Sequence, residues 1–133
     1  MQRESSYQKS VVAELRRKGF FVGIGSLAPG YPDLTAIHNS RCILIELKDI
    51  SGWGLGRKST DMFQKTQLPF YCRFSKDKSE AIIIAIKRDS EYYMYTIRQL
   101  ADVRTFLNTP LDYILSLCAK FKSVKELVNF ITL

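Results

Sequence analysis

Three side chains of the 133-residue chain have the types and spacing to hydrolyse a phosphodiester: Asp33, Glu46 and Lys48. Asp33 opens an apolar run over residues 33–38, and Glu46 and Lys48 close a second run over 41–48. Asn39-Ser40 between the runs is a turn signal, so the segment predicts a β-hairpin. With a two-residue turn, His38 faces Arg41 and Asp33 faces Glu46. Directly opposed residues share a face, with Cβ atoms about 5 Å apart. Lys48, two residues beyond Glu46, projects from that same face. Two facing carboxylates repel, and a divalent cation between them would remove the repulsion. Mg²⁺, with Mn²⁺ as the alternative ion, takes oxygen ligands, and one or two carboxylates suffice when water and phosphate fill the other positions. Such a metal polarises a phosphoryl oxygen and lowers the pKa of a bound water. A lysine beside it can orient or deprotonate that water and offset charge in the transition state. The register decides the matter, because a slip of one residue moves Asp33 to the opposite face.

The elements that must position these residues are readable in outline. Residues 4–18 predict a helix, with Tyr7, Val11, Val12 and Leu15 at helical spacing, basic residues in the last turn and Gly19 as the stop. A strand is expected over 20–24 and a loop over 25–31. A second loop, 50–60, carries Gly52, Gly54 and Gly56 with Arg57 and Lys58, and these glycines predict mobility. A helix follows over 61–74, with Pro69 a weakness in it. Strands are expected over 81–86 and 91–97 and a helix over 98–107. One or two amphipathic helices follow, near 111–121 and 124–131, with Ser123 a cap. The order α-β-β-β-α-β-β-α, with C-terminal helices, predicts an α/β chain with a mixed sheet flanked by helices.

Composition excludes several classes. Hydrophobic residues make up 46% and aromatic residues 12%, enough for a core and against disorder or coiled coil. The three cysteines, Cys42, Cys72 and Cys118, lack the spacing of a disulfide framework or zinc knuckle. His38 is the one histidine, so sites needing paired histidines are excluded, and its apolar strand context predicts a structural role. If the protein is an enzyme, carboxylates and lysine must do the chemistry. No signal peptide and no membrane-length apolar run is visible, which predicts a soluble, intracellular protein with no membrane partner. The formal charge is +7, and residues 41–76 hold seven Lys or Arg against three acids. A basic surround for a small acidic site suits a phosphate backbone. Arg57, Lys58 and Lys65 are the candidate phosphate contacts. Trp53 is placed either to stack on a base or wedge a junction, or to pack against the helices.

Gly30-Tyr31-Pro32-Asp33-Leu34, followed by Ile45-Glu46-Leu47-Lys48, resembles the PD-(D/E)XK nuclease superfamily. Glu4-x-x-x-Gln8, then Val11-Val12 and Leu15-Arg16-Arg17-Lys18-Gly19-Phe20, resembles its VRR-NUC branch, which includes small stand-alone viral nucleases. Archaeal and bacterial Holliday-junction resolvases share the core, and the segment 91–100 resembles their strand-then-helix end. The resemblance spans about residues 4–100 of a chain read as one nuclease domain over 1–133, with a helical extension from about 101. It implies a restriction-endonuclease-like fold. It implies that Asp33 and Glu46 bind metal, that the Leu47 carbonyl is a third ligand and that Glu4 is the helical acid that helps hold metal or water. It makes Lys48 the catalytic lysine. A glutamine on the helix after the hairpin is also implied. Gln64 and Gln67 both qualify, and Gln67 is preferred because Phe70 and Phe74 follow at the spacing of a buried face.

The expected function is a Mg²⁺-dependent DNA endonuclease, structure-selective in the manner of a Holliday-junction resolvase and acting on branched DNA. Two symmetric cuts would call for a homodimer, for which the tail helices could build the interface. The alternatives are a non-catalytic nucleic-acid-binding module and a small restriction-type endonuclease.

Overall fold

The computed structural model describes residues 5–25, 28–54, 56–77 and 81–133. Helix α1 (Ser6–Arg17) starts where the Ser5 side chain accepts a hydrogen bond from the Gln8 N–H, and it buries Tyr7, Val11, Val12 and Leu15. Gly19, at φ +92°, turns the chain out of it. Strand β1 (Phe21–Ile24) leads to β2 (Leu34–His38) and β3 (Arg41–Asp49). The β2–β3 turn places Asn39 at φ 49° and Ser40 at φ 65°, the doubly left-handed geometry that tight hairpins favour. Leu34 pairs with Ile45 and His38 with Arg41, the register expected of that turn.

Helix α2 (Gln67–Asp77) is followed by β4 (Ile82–Arg88) and β5 (Glu91–Ile97). The chain continues through α3 (Leu100–Arg104), α4 (Leu111–Leu117), β6 (Ala119–Phe121) and α5 (Val124–Ile131). The six strands form one mixed sheet in sequence order, antiparallel throughout except for β3 against β4. A parallel neighbour cannot be reached by a hairpin. The chain must cross over the sheet between β3 and β4, and α2 is the helix on that crossover. Helices α1 and α5 pack on one face, against Leu34, Ala36, Ile43, Ile45, Ile83 and Ala85. Residues of α2, α3 and α4 pack on the other, against Leu44, Ile82, Ile84 and Ile86. Cover on both faces explains why 82–86 reads as an unbroken apolar run.

The sequence expectation for residues 61–74 needs correction. A single 3₁₀ turn spans Ser59–Met62, and the helix begins only at Gln67. Pro69 is the reason: within a longer helix its ring would strike the carbonyl four residues back, whereas in the first turn it is tolerated. The expected helix over 111–121 is also shorter, because its end is strand β6, which pairs with Tyr92–Met94 of β5. Three residues carry too little alternation to reveal a strand, and the open edge of β5 supplies the partner. The helix expected over 98–107 is the five-residue α3, capped at Gln99 and braced by Asp102, whose carboxylate accepts from the Arg98 and Gln99 N–H groups. His38 packs its ring on Phe20 at 5.1 Å.

Candidate active site

Asp33 lies one residue before β2, where the hairpin register places it opposite Glu46. Asp33 is tied to β3 by two hydrogen bonds, one to Glu46 and one from Leu47. The Asp33 N–H donates to Glu46 Oε1 at 3.2 Å, and the Leu47 N–H donates to Asp33 Oδ2 at 2.9 Å. Side-chain oxygens thus stand in for ladder carbonyls at the open end of the hairpin. The N–H and C=O of one strand residue point to the same neighbour, so the Leu47 carbonyl is directed towards the Asp33 side as well.

Pro32 and Asp33 are delivered by the turn at Gly30. Its φ is +86°, and a Cβ there would collide with the Thr66 carbonyl oxygen and lie 2.7 Å from the Phe70 Cβ. Only glycine allows the loop to press this closely on the start of α2. Tyr31 then packs its ring on Phe70 at 5.6 Å.

Glu46 is 2% exposed, the one buried carboxylate among the described residues. Lys48 Nζ lies 3.1 Å from Glu46 Oε2 and donates to Gln67 Oε1 at 2.7 Å. Gln67 Nε2 donates to Glu46 Oε2 at 2.8 Å, and the Gln64 N–H donates to Gln67 Oε1 at 2.9 Å. This arrangement fixes the amide orientation: two donors face its oxygen and an acceptor faces its nitrogen. Burial raises the Glu46 pKa to about 7, and the charge of Asp33 adds to that rise; Lys48 and Gln67 oppose it. The Lys48 ammonium also lies 5.2 Å from the centre of the Phe63 ring.

The structure therefore brings Asp33, Glu46, Lys48 and Gln67 together, and Gln64 joins through its backbone alone. Gln67 is buried for a reason other than the one the sequence suggested. The buried stripe of α2 is Gln67, Tyr71 and Ser75, while Phe70 and Phe74 are only half-buried on its flank. Tyr71 was not foreseen. It is fully buried, and its hydroxyl has no hydrogen-bond partner among the described residues. Burial raises its pKa first, with the Glu46 and Asp33 charges adding to it, so it lies within reach of their field. Its position four residues after Gln67 was the available signal.

Glu4 lies outside the described residues. Trp53 is half-buried against the core on the α2 side, and the Arg57 guanidinium sits 3.6 Å from its ring centre. Arg57 also pairs with Asp61 at 3.5 Å. Lys58 is exposed, and its backbone bridges to Pro110. The end of the 50–60 loop is tied down rather than open: Ser59 N–H donates to the Thr109 carbonyl, and Leu111 N–H to that of Arg57. Lys65 stands apart from these, on a cleft of about 580 Å³ along α2 with Pro29, Pro69, Phe70, Arg73 and Phe74.

The donors fit a hard divalent cation: two facing carboxylates and a carbonyl directed to the same side, all oxygen. No cluster of three or more His, Cys, Asp or Glu exists among the described residues, so a metal here would complete its shell with water and phosphate. No helix among the described residues is long and apolar enough to cross a membrane.

No family model and no curated protein matches the chain. Among solved structures it is similar to Hjc, a Holliday junction resolvase from the archaeal hyperthermophile Archaeoglobus fulgidus. The match has a TM-score of 0.55 at 16% identity, and covers 92% of this chain and 97% of that one. The six-stranded mixed sheet, its flanking helices and this likeness make the fold restriction-endonuclease-like.

Proposed function

We propose that the chain is a Mg²⁺-dependent DNA endonuclease, selective for branched DNA as a Holliday junction resolvase is. The observation that carries this reading is the meeting of Asp33, Glu46, Lys48 and Gln67 at the open end of the hairpin, on a fold similar to that of Hjc. The resemblance of the first-helix pattern to the VRR-NUC branch of the PD-(D/E)XK superfamily, and of segment 91–100 to the resolvases, supports this reading. In this reading Asp33, Glu46 and the Leu47 carbonyl hold the metal, which supplies Lewis-acid polarisation of the phosphate and an acidified water. Lys48 offsets charge developing on the phosphate and orients the attacking water. Gln67 holds the Lys48 ammonium on that side of the site and fixes the Glu46 carboxylate. Exposed Lys58 and Lys65 contribute phosphate contacts. Symmetric cutting of a four-way junction would take two such sites, supplied by a homodimer.

The test uses labelled four-way junction, flap, linear duplex and single-stranded DNA, with Mg²⁺, Mn²⁺ or EDTA. It is repeated with Asp33→Ala and Lys48→Ala. Paired nicks across the junction, lost in EDTA and in both variants, are expected. Cleavage that survives EDTA or Asp33→Ala would overturn the mechanism. Binding with no cleavage in either metal would make the protein a non-catalytic DNA-binding module, and sequence-dependent cutting of linear duplex would make it a restriction-type enzyme.

A further inference from the structure

We infer that the cleft along α2 receives a single unpaired nucleotide of the DNA, next to the phosphodiester being cut. This deepens the nuclease reading and rests on it. The cleft encloses about 580 Å³, within the ~300–1,000 Å³ typical of small-ligand sites. Its apolar wall is Pro29, Pro69 and the Phe70 and Phe74 rings, which lie 6.1 Å apart and inclined by only 23°. Lys65 and Arg73 are exposed cations on its lining, and among the described residues no carboxylate lines it. An apolar, aromatic wall beside two cations complements a base attached to a phosphate. An apolar peptide would leave both cations unmatched.

The cleft also joins the site directly. Lys65 and Thr66 line it, and Gln67 is the next residue, hydrogen-bonded to Glu46 and Lys48. On the other side the wall at Pro29 leads through Gly30 and Tyr31 to Asp33, with Tyr31 packed on Phe70. Both segments that frame the cleft therefore end in the carboxylate site. A nucleotide held here is a near neighbour of the reacting phosphate. In intact duplex every base is stacked and paired, and filling the cleft would require unstacking, at a few kcal/mol per base. At a branch point or flap that penalty is small, so the cleft would convert DNA shape into affinity.

The experiment places the fluorescent base 2-aminopurine at an unpaired position of a flap and, separately, within duplex. Binding is followed in Ca²⁺ with the wild type, Phe74→Ala, Arg73→Glu and Lys48→Ala. We expect the unpaired probe to change its emission on binding to the wild type and to Lys48→Ala, and the duplex probe to stay unmoved. In Phe74→Ala the preference for DNA with an unpaired nucleotide over duplex should fall roughly tenfold. Arg73→Glu, at an exposed position, should lower it too and guards against a folding defect. An unmoved unpaired probe with a wild type that cuts DNA would overturn the cleft while leaving the nuclease reading intact. A moved probe with a wild type that cuts nothing would do the reverse. Self-association of the wild type that Phe74→Ala abolishes, with no probe response, would assign the cleft to a second copy of the chain and also overturn the proposal.

Discussion

Replacing Gln67 by Leu tests whether the site is held as one hydrogen-bonded unit. Leucine keeps the bulk of the side chain, so the cavity contribution is small. Three hydrogen bonds are lost. Two have charged partners, Lys48 at 2.7 Å and Glu46 at 2.8 Å, and such bonds contribute about 1.5–3 kcal/mol each. The third, from the Gln64 N–H at 2.9 Å, is neutral and contributes about 0.5–1.5 kcal/mol. They converge on one amide and do not add, and Lys48 still pairs with Glu46 at 3.1 Å in the variant. The expected loss is about 2–4 kcal/mol. It is read as a lower urea midpoint at constant slope, in EDTA at about pH 8. The penalty should shrink at about pH 5.5, where Glu46, titrating near 7, is largely neutral and its bond to Gln67 is no longer charge-assisted. Cleavage should fall roughly 100-fold, because Lys48 loses the group that positions it. A loss below about 0.5 kcal/mol, or an equal loss at both pH values, would refute the reasoning.

Gly30→Ala should destabilise by about 2–5 kcal/mol, from a left-handed φ together with overlap against Thr66 and Phe70; a thermal midpoint like that of the wild type would contradict it. Tyr71→Phe removes a buried hydroxyl that has no partner among the described residues. It should stabilise the chain by about 1 kcal/mol, checked by urea unfolding. In metal-free buffer, Glu46 binds its proton more tightly folded, near 7, than unfolded, near 4.5. Its contribution to stability is thus fully present below about 4.5 and is lost as the pH rises through about 7. Glu46→Gln should flatten that part of the stability–pH curve, and an unchanged curve would count against it.

The hairpin and its carboxylates were legible because their signals are local. Asn39-Ser40 sets a two-residue turn, and strand alternation then leaves one partner for Asp33. Lys48 follows from parity alone. What was hidden depended on tertiary context. Gln64 and Gln67 are separable only once Pro69 is placed in the first turn of α2 rather than inside it, and that start also decides which aromatic residue is buried. Phe70 and Phe74 repeat as regularly as Tyr71 and Ser75, so periodicity cannot choose between the two stripes. The contact of Gly30 with Thr66 and Phe70 chooses, by fixing how α2 is turned against the loop. Strand β6 was invisible for the same reason: its pairing is dictated by the edge of β5. The bonds that join the far end of the 50–60 loop to Thr109 and Leu111 were likewise not legible, because their partners lie some fifty residues further along the chain.

Position 46 belongs to a strand covered on both faces, and beyond Asp33 and Lys48 its neighbours on the same side are apolar: Leu44 on β3 and Ile84 opposite on β4. A strand selected for stability alone would carry a hydrophobe there. An acid held above its ordinary pKa by burial breaks that local rule, and such breaks concentrate where chemistry is done. The idea can be tested by removing the polar network whole. Truncating one partner of a buried pair strands the other, at about 3–5 kcal/mol, whereas replacing all of it by apolar groups of similar volume is neutral or stabilising by about 1–4 kcal/mol. The triple variant Glu46→Leu, Lys48→Met, Gln67→Leu should therefore unfold at the same urea concentration as the wild type or higher, in EDTA, and cut no DNA. Its Asp33 N–H, at the open mouth of the hairpin, can turn to water. If the triple variant instead lost more than about 3 kcal/mol, the network would be holding the sheet together. The buried acid would then be a structural feature, and the case for a site at this end of the hairpin would lose its main physical support.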